Sequence, residues 1–478
     1  MKLSSNNKIG VQARASVWFA MCSILQKGVS FITIPIFTRL LTTEQYGTYS
    51  LYLSWLQILT IITSLYLYYG VFNNGMTKFE EDRDTYISSM QGLTLTITAG
   101  VFVIYLAAYK KWSELLGMMP VLVALMFVEM AVTPALSFWS GRQRFELQYK
   151  KLVAVTLAKT VANPILGFVM VLLAQDKATA RIASVVIIEV VFCGVIMIQQ
   201  FAKGKCFFHL KYWKYALGLA IPLLPHYLSS MILNQGDRVM IDRMVGKSEV
   251  AFFSVAYSVG MLVQVFTNAI NNSFTPWMYQ KIKENNLHSI KETTNLLLVV
   301  VGVISAGLMM LSPELMLLFG SKEYASGAYV IPPVAASVFF IFLYNILAIP
   351  QFYYERTKFL ALSSVLAAIV NVLLNFVAIR AFGYVAAGYT TLICYVLYSV
   401  GHYCVSKRVL REFLDGQSIC DSKVVAIISL VVILLGVCCN FLFDLWYVRY
   451  GLIVLFCIVA FVKREELVAL AKGMLKKK

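Results

Sequence analysis

Ser23, Gln26, Lys27 and Ser30 stand at i, i+3, i+4 and i+7 within an apolar run that continues to Thr38, a spacing that puts all four on one helical face. An ammonium group at bilayer depth costs at least about 2.5 kcal/mol on insertion scales, so such a lysine faces protein or water and not lipid. The chemistry open to that face is electrostatic: a fixed cation among hydroxyls and an amide attracts a negatively charged group. Further polar stripes interrupt later apolar runs. Ser54, Gln57 and Ser64 form a looser stripe, and Thr156, Lys159, Thr160 and Asn163 follow. His226, Ser230, Asn234 and Asp237 line up at steps of four, four and three below Pro222 and Pro225, and Gln264, Asn268, Asn271 and Asn272 come after them. Ser, Thr, Asn and Gln also glue membrane helices together, which is the plainer reading of any single stripe. Lys27, His226 and Asp237 are costlier, and intramembrane ionisable groups point to function by default. Glu129 and Glu189 lie in apolar runs as well; one of them pairs with Lys159 or either carries a coupling proton. Asp237 adjoins Arg238, either as an exposed, orientation-fixing ion pair or as a gating or substrate group. Pro222 and Pro225 open backbone hydrogen bonds and permit a hinge.

Other chemistries find little support. Nine cysteines contain no CxxC pair, four histidines show no ligand spacing, and no metal site is expected. Gly246-Lys247-Ser248 imitates the end of a phosphate-binding loop, but Ile241 stands where that motif needs its first glycine. ATP hydrolysis is therefore not encoded, and transport would draw on H+, Na+ or the cargo's own gradient. The net charge of +17 sits mostly in short loops between apolar runs, where orientation bias explains it better than nucleic acid does.

The elements that must position these groups are membrane helices. Hydrophobic residues make up 59% of the chain and charged ones 14%, against about 25% charged in soluble domains. An all-α polytopic membrane protein of about fourteen transmembrane helices is expected, with spans at 14–40, 46–72, 86–108, 113–140, 152–174, 182–202, 213–236, 249–273, 292–319, 326–353, 359–380, 384–406, 423–442 and 446–462. The first is read as retained, not as a cleaved signal. With the amino terminus inside, the cytoplasmic segments collect most of the Lys and Arg, including Arg142, Arg144, Lys150 and Lys151, then Lys203, Lys205, Lys211 and Lys214, and Lys476 to Lys478. Both termini are thus expected in the cytoplasm. Sliding the sequence by 204 residues places Arg39-Leu40-Leu41 on Arg243-Met244-Val245, and Gly47, Tyr49, Ser50 and Leu51 on Ala251, Phe253, Ser254 and Val255. Six spans fit within that offset, so the copies share one orientation about an axis along the membrane normal. Two six-helix bundles, 1–211 and 212–411, then face each other, and 412–478 adds two helices and a basic tail.

Arg39-Leu40-Leu41 with Tyr46-Gly47-Thr48-Tyr49-Ser50, the run Asn74-Gly75-Met76-Thr77-Lys78-Phe79 through Asp82-Arg83, Phe145-Glu146-Leu147-Gln148-Tyr149-Lys150, Gly236-Asp237-Arg238, Pro276-Trp277-Met278-Tyr279, and Asn371 to Asn375 leading into Phe382-Gly383-Tyr384-Val385-Ala386-Ala387 occur in this order. In these pieces the chain resembles the Wzx-type polysaccharide flippases of the multidrug/oligosaccharidyl-lipid/polysaccharide exporter superfamily, over nearly its whole length. The resemblance implies a non-enzymatic, alternating-access flippase in a bacterial cytoplasmic membrane. Its cargo would be an undecaprenyl-diphosphate-linked oligosaccharide moved to the outer face for an O-antigen, capsule or other surface polysaccharide. Membrane lipid, a polymerase and chain-length machinery would be its partners, and nucleic acid would not. The implied cavity is cationic, and Lys27 matches a basic position of related lipid flippases; Thr33 replaces a further arginine. Candidate cavity residues are Lys27, Gln26, Ser30, Arg39, Gln57, Lys159, His226, Asn234, Asp237, Arg238, Gln264 and Asn268. Coupling candidates are Glu129, Glu189 and Asp237.

Two rivals remain. An ion-coupled multidrug exporter of the same superfamily would share the fold, but such relatives hold cationic drugs with carboxylates in the first or seventh helix, and the first apolar run here has Lys27 and none. A membrane polymerase or ligase needs a large outer loop, and the expected outer loops are short.

Overall fold

The computed structural model describes residues 5–356, 358–414 and 416–462, so the tail lysines Lys476 to Lys478 lie outside the described residues. Eighteen α-helices and two short 3-10 segments follow one another, with no strand among the described residues. The first half comprises α1 (Ser5–Leu40), α2 (Thr43–Ser64), α3 (Val71–Lys78), α4 (Arg83–Ala107), α5 (Tyr109–Leu116), α6 (Pro120–Phe145), α7 (Tyr149–Leu173) and α8 (Lys177–Gly204). The second comprises α9 (Leu210–Met244), α10 (Lys247–Gly260), α11 (Leu262–Lys283), α12 (Leu287–Met310), α13 (Ser312–Phe319), α14 (Ile331–Tyr353), α15 (Lys358–Phe382) and α16 (Ala386–Phe413), with α17 (Ser422–Cys438) and α18 (Trp446–Val462) behind them.

Each of the fourteen expected spans overlies one of these helices or a run of them. Eleven helical runs in the described residues are long and apolar enough to cross a bilayer, and α2, α16 and α18 are not among them. Polarity explains α2, whose Ser50, Ser54, Thr63 and Ser64 are buried against protein. Lipid-facing helices look different: α7 buries little and exposes Ile165, Val169, Leu172 and Leu173, as expected of a surface solvated by hydrocarbon.

Helix boundaries repeat at the offset seen in the sequence. α1 ends at Leu40 and α9 at Met244, α2 begins at Thr43 and α10 at Lys247, and α4 begins at Arg83 and α12 at Leu287. The short α5 and α13 also correspond within one residue. Within the first half α6 packs on α8, α7 on α8 and α1 on α7; within the second α14 packs on α16 and α15 on α9, and α17 covers α12 and α14. The halves meet mainly where α2 lies on α9 and α10. There the chain needs glycine: a Cβ on Gly47 would fall 1.8 Å from the carbonyl oxygen of Lys247, so only a bare backbone lets the helices touch.

α9 belongs to both halves. Its first turns pack on α3 and α4, where Tyr212 meets Phe79 and Tyr86 and Trp213 donates to the carbonyl of Ser89 at 3.0 Å. Its later turns pack on α15 and α2. Pro222 and Pro225 sit between these two regimes, without breaking the helix assignment. A division at residue 212 therefore cuts a helix off from contacts it makes with the first half.

Candidate functional site

Ser23, Gln26, Lys27 and Ser30 do share a face of α1. At 100° per residue they point away from Met21, Leu25, Ile32 and Ile36, exposed apolar side chains of that helix. Gln26 reaches Thr160 of α7 at 3.5 Å, and the Ser23 and Ser30 hydroxyls donate to the carbonyls of Phe19 and Gln26. Lys27 is exposed, and among the described residues no carboxylate lies within ion-pair reach of it. α11 also touches α1; Asn268 is exposed on it and Gln264 half-buried.

Beside the stripe opens a cavity of about 850 Å3 between α1, α6, α7 and the turn after α2. Ser23, Gln26, Thr156, Ser140, Asn73 and Arg144 supply its polar wall, Tyr68 and Tyr69 stand on its aromatic side, and no carboxylate among the described residues lines it. Arg144, read from sequence as a topological anchor, is thus also a cavity cation. Tyr68 and Tyr69 could not be singled out from sequence, because nothing in the spacing shows that the helix breaks at Leu65.

The other candidate charges are placed differently. Lys159 is ion-paired to Glu189 at 2.6 Å, and Cys193 donates to the same carboxylate; Lys159 is therefore not a free cavity cation. Glu129 accepts from the Tyr52 hydroxyl at 2.8 Å. Breaking a largely buried pair strands the remaining charge, at a cost of roughly 3 kcal/mol. Lys159→Met should accordingly lower the thermal unfolding midpoint of the purified protein, and Lys159→Met with Glu189→Gln should recover most of the loss; equal midpoints for the single and double variants would refute this.

Asp237 and Arg238 are not an exposed pair. Both are buried, and they point to different partners, since adjacent helical residues diverge by about 100°. Asp237 accepts from Asn375 at 2.6 Å and from Thr391 at 3.0 Å, while Asn375 also binds Asn371 and Thr390. The cage thus comes from α9, α15 and α16, all of the second half. Arg238 donates to Ser254 and to the carbonyl of Asn234 and lies over the Tyr257 ring. His226 bonds Ser364 at 2.7 Å, and Asn234 donates to the carbonyl of Ser230. Gln57 accepts from Gln235, which in turn accepts from Ser54; this α2–α9 crossing was visible in the sequence only from the α2 side.

Arg39 is not in the cavity. It caps the C-terminus of α13, donating to the carbonyls of Leu318 at 3.1 Å and Leu317 at 3.4 Å. Next to it Thr38 donates to the carbonyl of Phe319 at 2.8 Å. Arg243, its counterpart at the 204-residue offset, donates to the carbonyls of Glu114 and Leu115 at the end of α5. Thr43 and Ser248 share a hydrogen bond of 2.9 Å between the two contacts, and Tyr46 packs edge-on against Tyr324. The halves are therefore fastened together at the Arg39 end of the bundle.

With this geometry the known proteins can be compared. The chain matches the family described as "Polysaccharide biosynthesis protein" over residues 13–282 and the MatE family over residues 222–377. It is 22% identical over 356 residues to an uncharacterized membrane protein of Haemophilus influenzae, covering 72% of this chain and 84% of that one. To the Lsg locus putative protein 1 of the same organism it is 22% identical over 380 residues, covering 75% and 88%. Among solved structures it superposes on the lipid II flippase MurJ in an inward closed conformation, with a TM-score of 0.73 at 14% identity over 94% of this chain and 100% of that one. An inward-facing multidrug resistance MATE family transporter of the MOP superfamily gives a TM-score of 0.61 at 13% identity over 84% and 100%. At these identities the two structures speak for the fold.

Proposed function

Because the chain belongs to the polysaccharide biosynthesis protein family, we propose that it turns undecaprenyl-diphosphate-linked oligosaccharide units from the cytoplasmic to the outer face of a bacterial cytoplasmic membrane, by alternating access and without changing them chemically. The observation that carries this reading is Lys27, an exposed ammonium with no carboxylate in reach among the described residues, beside a cavity whose charged lining among those residues is Arg144. Two fixed cations without counter-ions suit a diphosphate, which cannot cross hydrocarbon unaided, and repel the cationic drugs that a multidrug exporter would carry.

In this reading the Arg144 end faces the cytoplasm, in keeping with its basic residues, and the fastened Arg39 end faces outward, where a polymerase would receive the cargo. Asp237 carries the coupling ion: its buried carboxylate has amide and hydroxyl donors, and a proton or Na+ would supply the missing positive charge. Glu129 is a second candidate for a proton. Pro222 and Pro225 mark where α9 flexes as the halves rock.

The test is accessibility of lipid-linked sugar on the two faces of proteoliposomes holding the purified protein. Sugar appearing on the far face without ATP supports the proposal; efflux of ethidium with no sugar movement would replace it by the exporter reading. Single cysteines beside Lys150 and Lys211 should react with an impermeant thiol reagent only from the cytoplasmic side, and one beside Lys322 only from outside. Labelling of both groups from one side overturns the orientation.

A further inference from the structure

We infer that the cavity beside α1 is a sugar site in which Tyr69 stacks on a pyranose ring of the cargo, while Asn73 and Ser140 take its hydroxyl groups and Arg144 is left to the diphosphate. This rests on the reading that the cargo is a lipid-linked oligosaccharide, and it says where the sugar sits.

The aromatic wall is built from one turn. α2 stops at Ser64, and Leu65 and Tyr66 both adopt left-handed backbone, φ 47° and 51°. Two successive non-glycine residues in that region are strained, and such strain persists only where surrounding contacts impose it. Here the backbone of Tyr66 donates to the Ser64 hydroxyl at 3.2 Å, and that of Tyr69 donates to the carbonyl of Tyr66 at 3.1 Å. The result lays the Tyr66 and Tyr69 rings nearly parallel, 5.2 Å apart and 22° inclined. Tyr227 of α9 packs on both. Tyr69 is thereby backed by Tyr66 yet remains 63% exposed, so it offers a ring to the cavity with its position already fixed.

Such a surface selects by its composition. A sugar ring has apolar C–H faces and polar edges, so it needs an aromatic plane with hydrogen-bonding groups around it. Serine hydroxyls and the Asn73 amide provide those groups. A cationic compound would meet Arg144 with no carboxylate among the described residues to offset it. The volume of about 850 Å3 lies within the roughly 300–1,000 Å3 of small-molecule sites, suited to a short oligosaccharide. Because Tyr227 belongs to the helix that both halves share, a ring held on Tyr69 also bears on the element that moves between them.

The experiment compares two probes on the full-length protein in nanodiscs by native mass spectrometry: undecaprenyl diphosphate without sugar, and undecaprenyl-diphosphate-linked oligosaccharide extracted from cells that make the cognate polysaccharide. Tyr69→Ala should weaken binding of the sugar-bearing lipid about tenfold or more and leave binding of undecaprenyl diphosphate within about twofold. Tyr69→Trp, which keeps an aromatic plane, should retain both. Equal losses for the two lipids, or no loss for either, would overturn the sugar site while leaving the flippase reading intact. A wild-type protein that binds neither lipid would overturn both.

Discussion

Lys27→Ala is expected to leave a folded, correctly inserted protein that moves lipid-linked sugar roughly 100-fold more slowly than wild type. Hydrogen bonds to charged groups contribute about 1.5–3 kcal/mol, and about 2.8 kcal/mol of lost stabilisation is a hundredfold in rate. The fold should not suffer, because Lys27 is exposed and holds no carboxylate. Glu189 is taken by Lys159 and Glu129 accepts from Tyr52, so neither is stranded when the ammonium goes. Lys27→Arg keeps the charge with a different geometry and should keep part of the rate. The measurement is transport per folded molecule, with abundance and thermal midpoint taken on the same samples. Full transport in Lys27→Ala would sink the cationic-face idea, and a fall in midpoint matching the fall in transport would make the lysine structural.

What sequence could and could not reveal follows from the range over which each interaction acts. Helical periodicity is local, so the polar face of α1 was legible from Ser23 to Ser30, and hydropathy located every long helix. The 204-residue repeat foreshadowed the matching of α1 with α9 and of α4 with α12. Partnership is not local. The sequence offered both Glu129 and Glu189 as partners for Lys159 without choosing Glu189, and nothing in the spacing told that Asp237 turns inward to Asn375 on α15 while Arg238, one residue on, turns to Ser254 on α10. Arg39 stood among the candidate cavity residues; its partners are backbone carbonyls of α13, acceptors that every sequence has and none advertises. The turn that projects Tyr69 was hidden for a related reason. Leu65 and Tyr66 carry no turn signal such as Gly or Asn, and their left-handed backbone is imposed by contacts formed only in the folded bundle.

The fastened Arg39 end leads to the second large effect. Arg39 and Arg243 occupy matching places in the two halves, and each donates to the last carbonyls of a short helix in the opposite half, α13 or α5. A cation at a helix C-terminus gains from the unsatisfied carbonyls and from the helix dipole, but both arginines are exposed, which limits each contact to about 1 kcal/mol. Removing both should therefore shift the balance between closed and open by about 2 kcal/mol, close to thirtyfold. The probe is Ala251→Cys, a small change at a fully buried position of α10, in a protein stripped of its nine native cysteines. Arg39→Ala with Arg243→Ala should raise the rate at which an impermeant maleimide labels that cysteine by about thirtyfold. Each single variant should give an intermediate rise, since the two contacts are separate and their effects should add. A labelling rate unchanged in the double variant would show that Thr38, the Thr43–Ser248 bond and the α2–α10 contact hold this end shut by themselves. The arginines would then be anchors of α5 and α13 only. A full rise from either single variant would instead mean that the two contacts open as one unit, with the halves parting all at once.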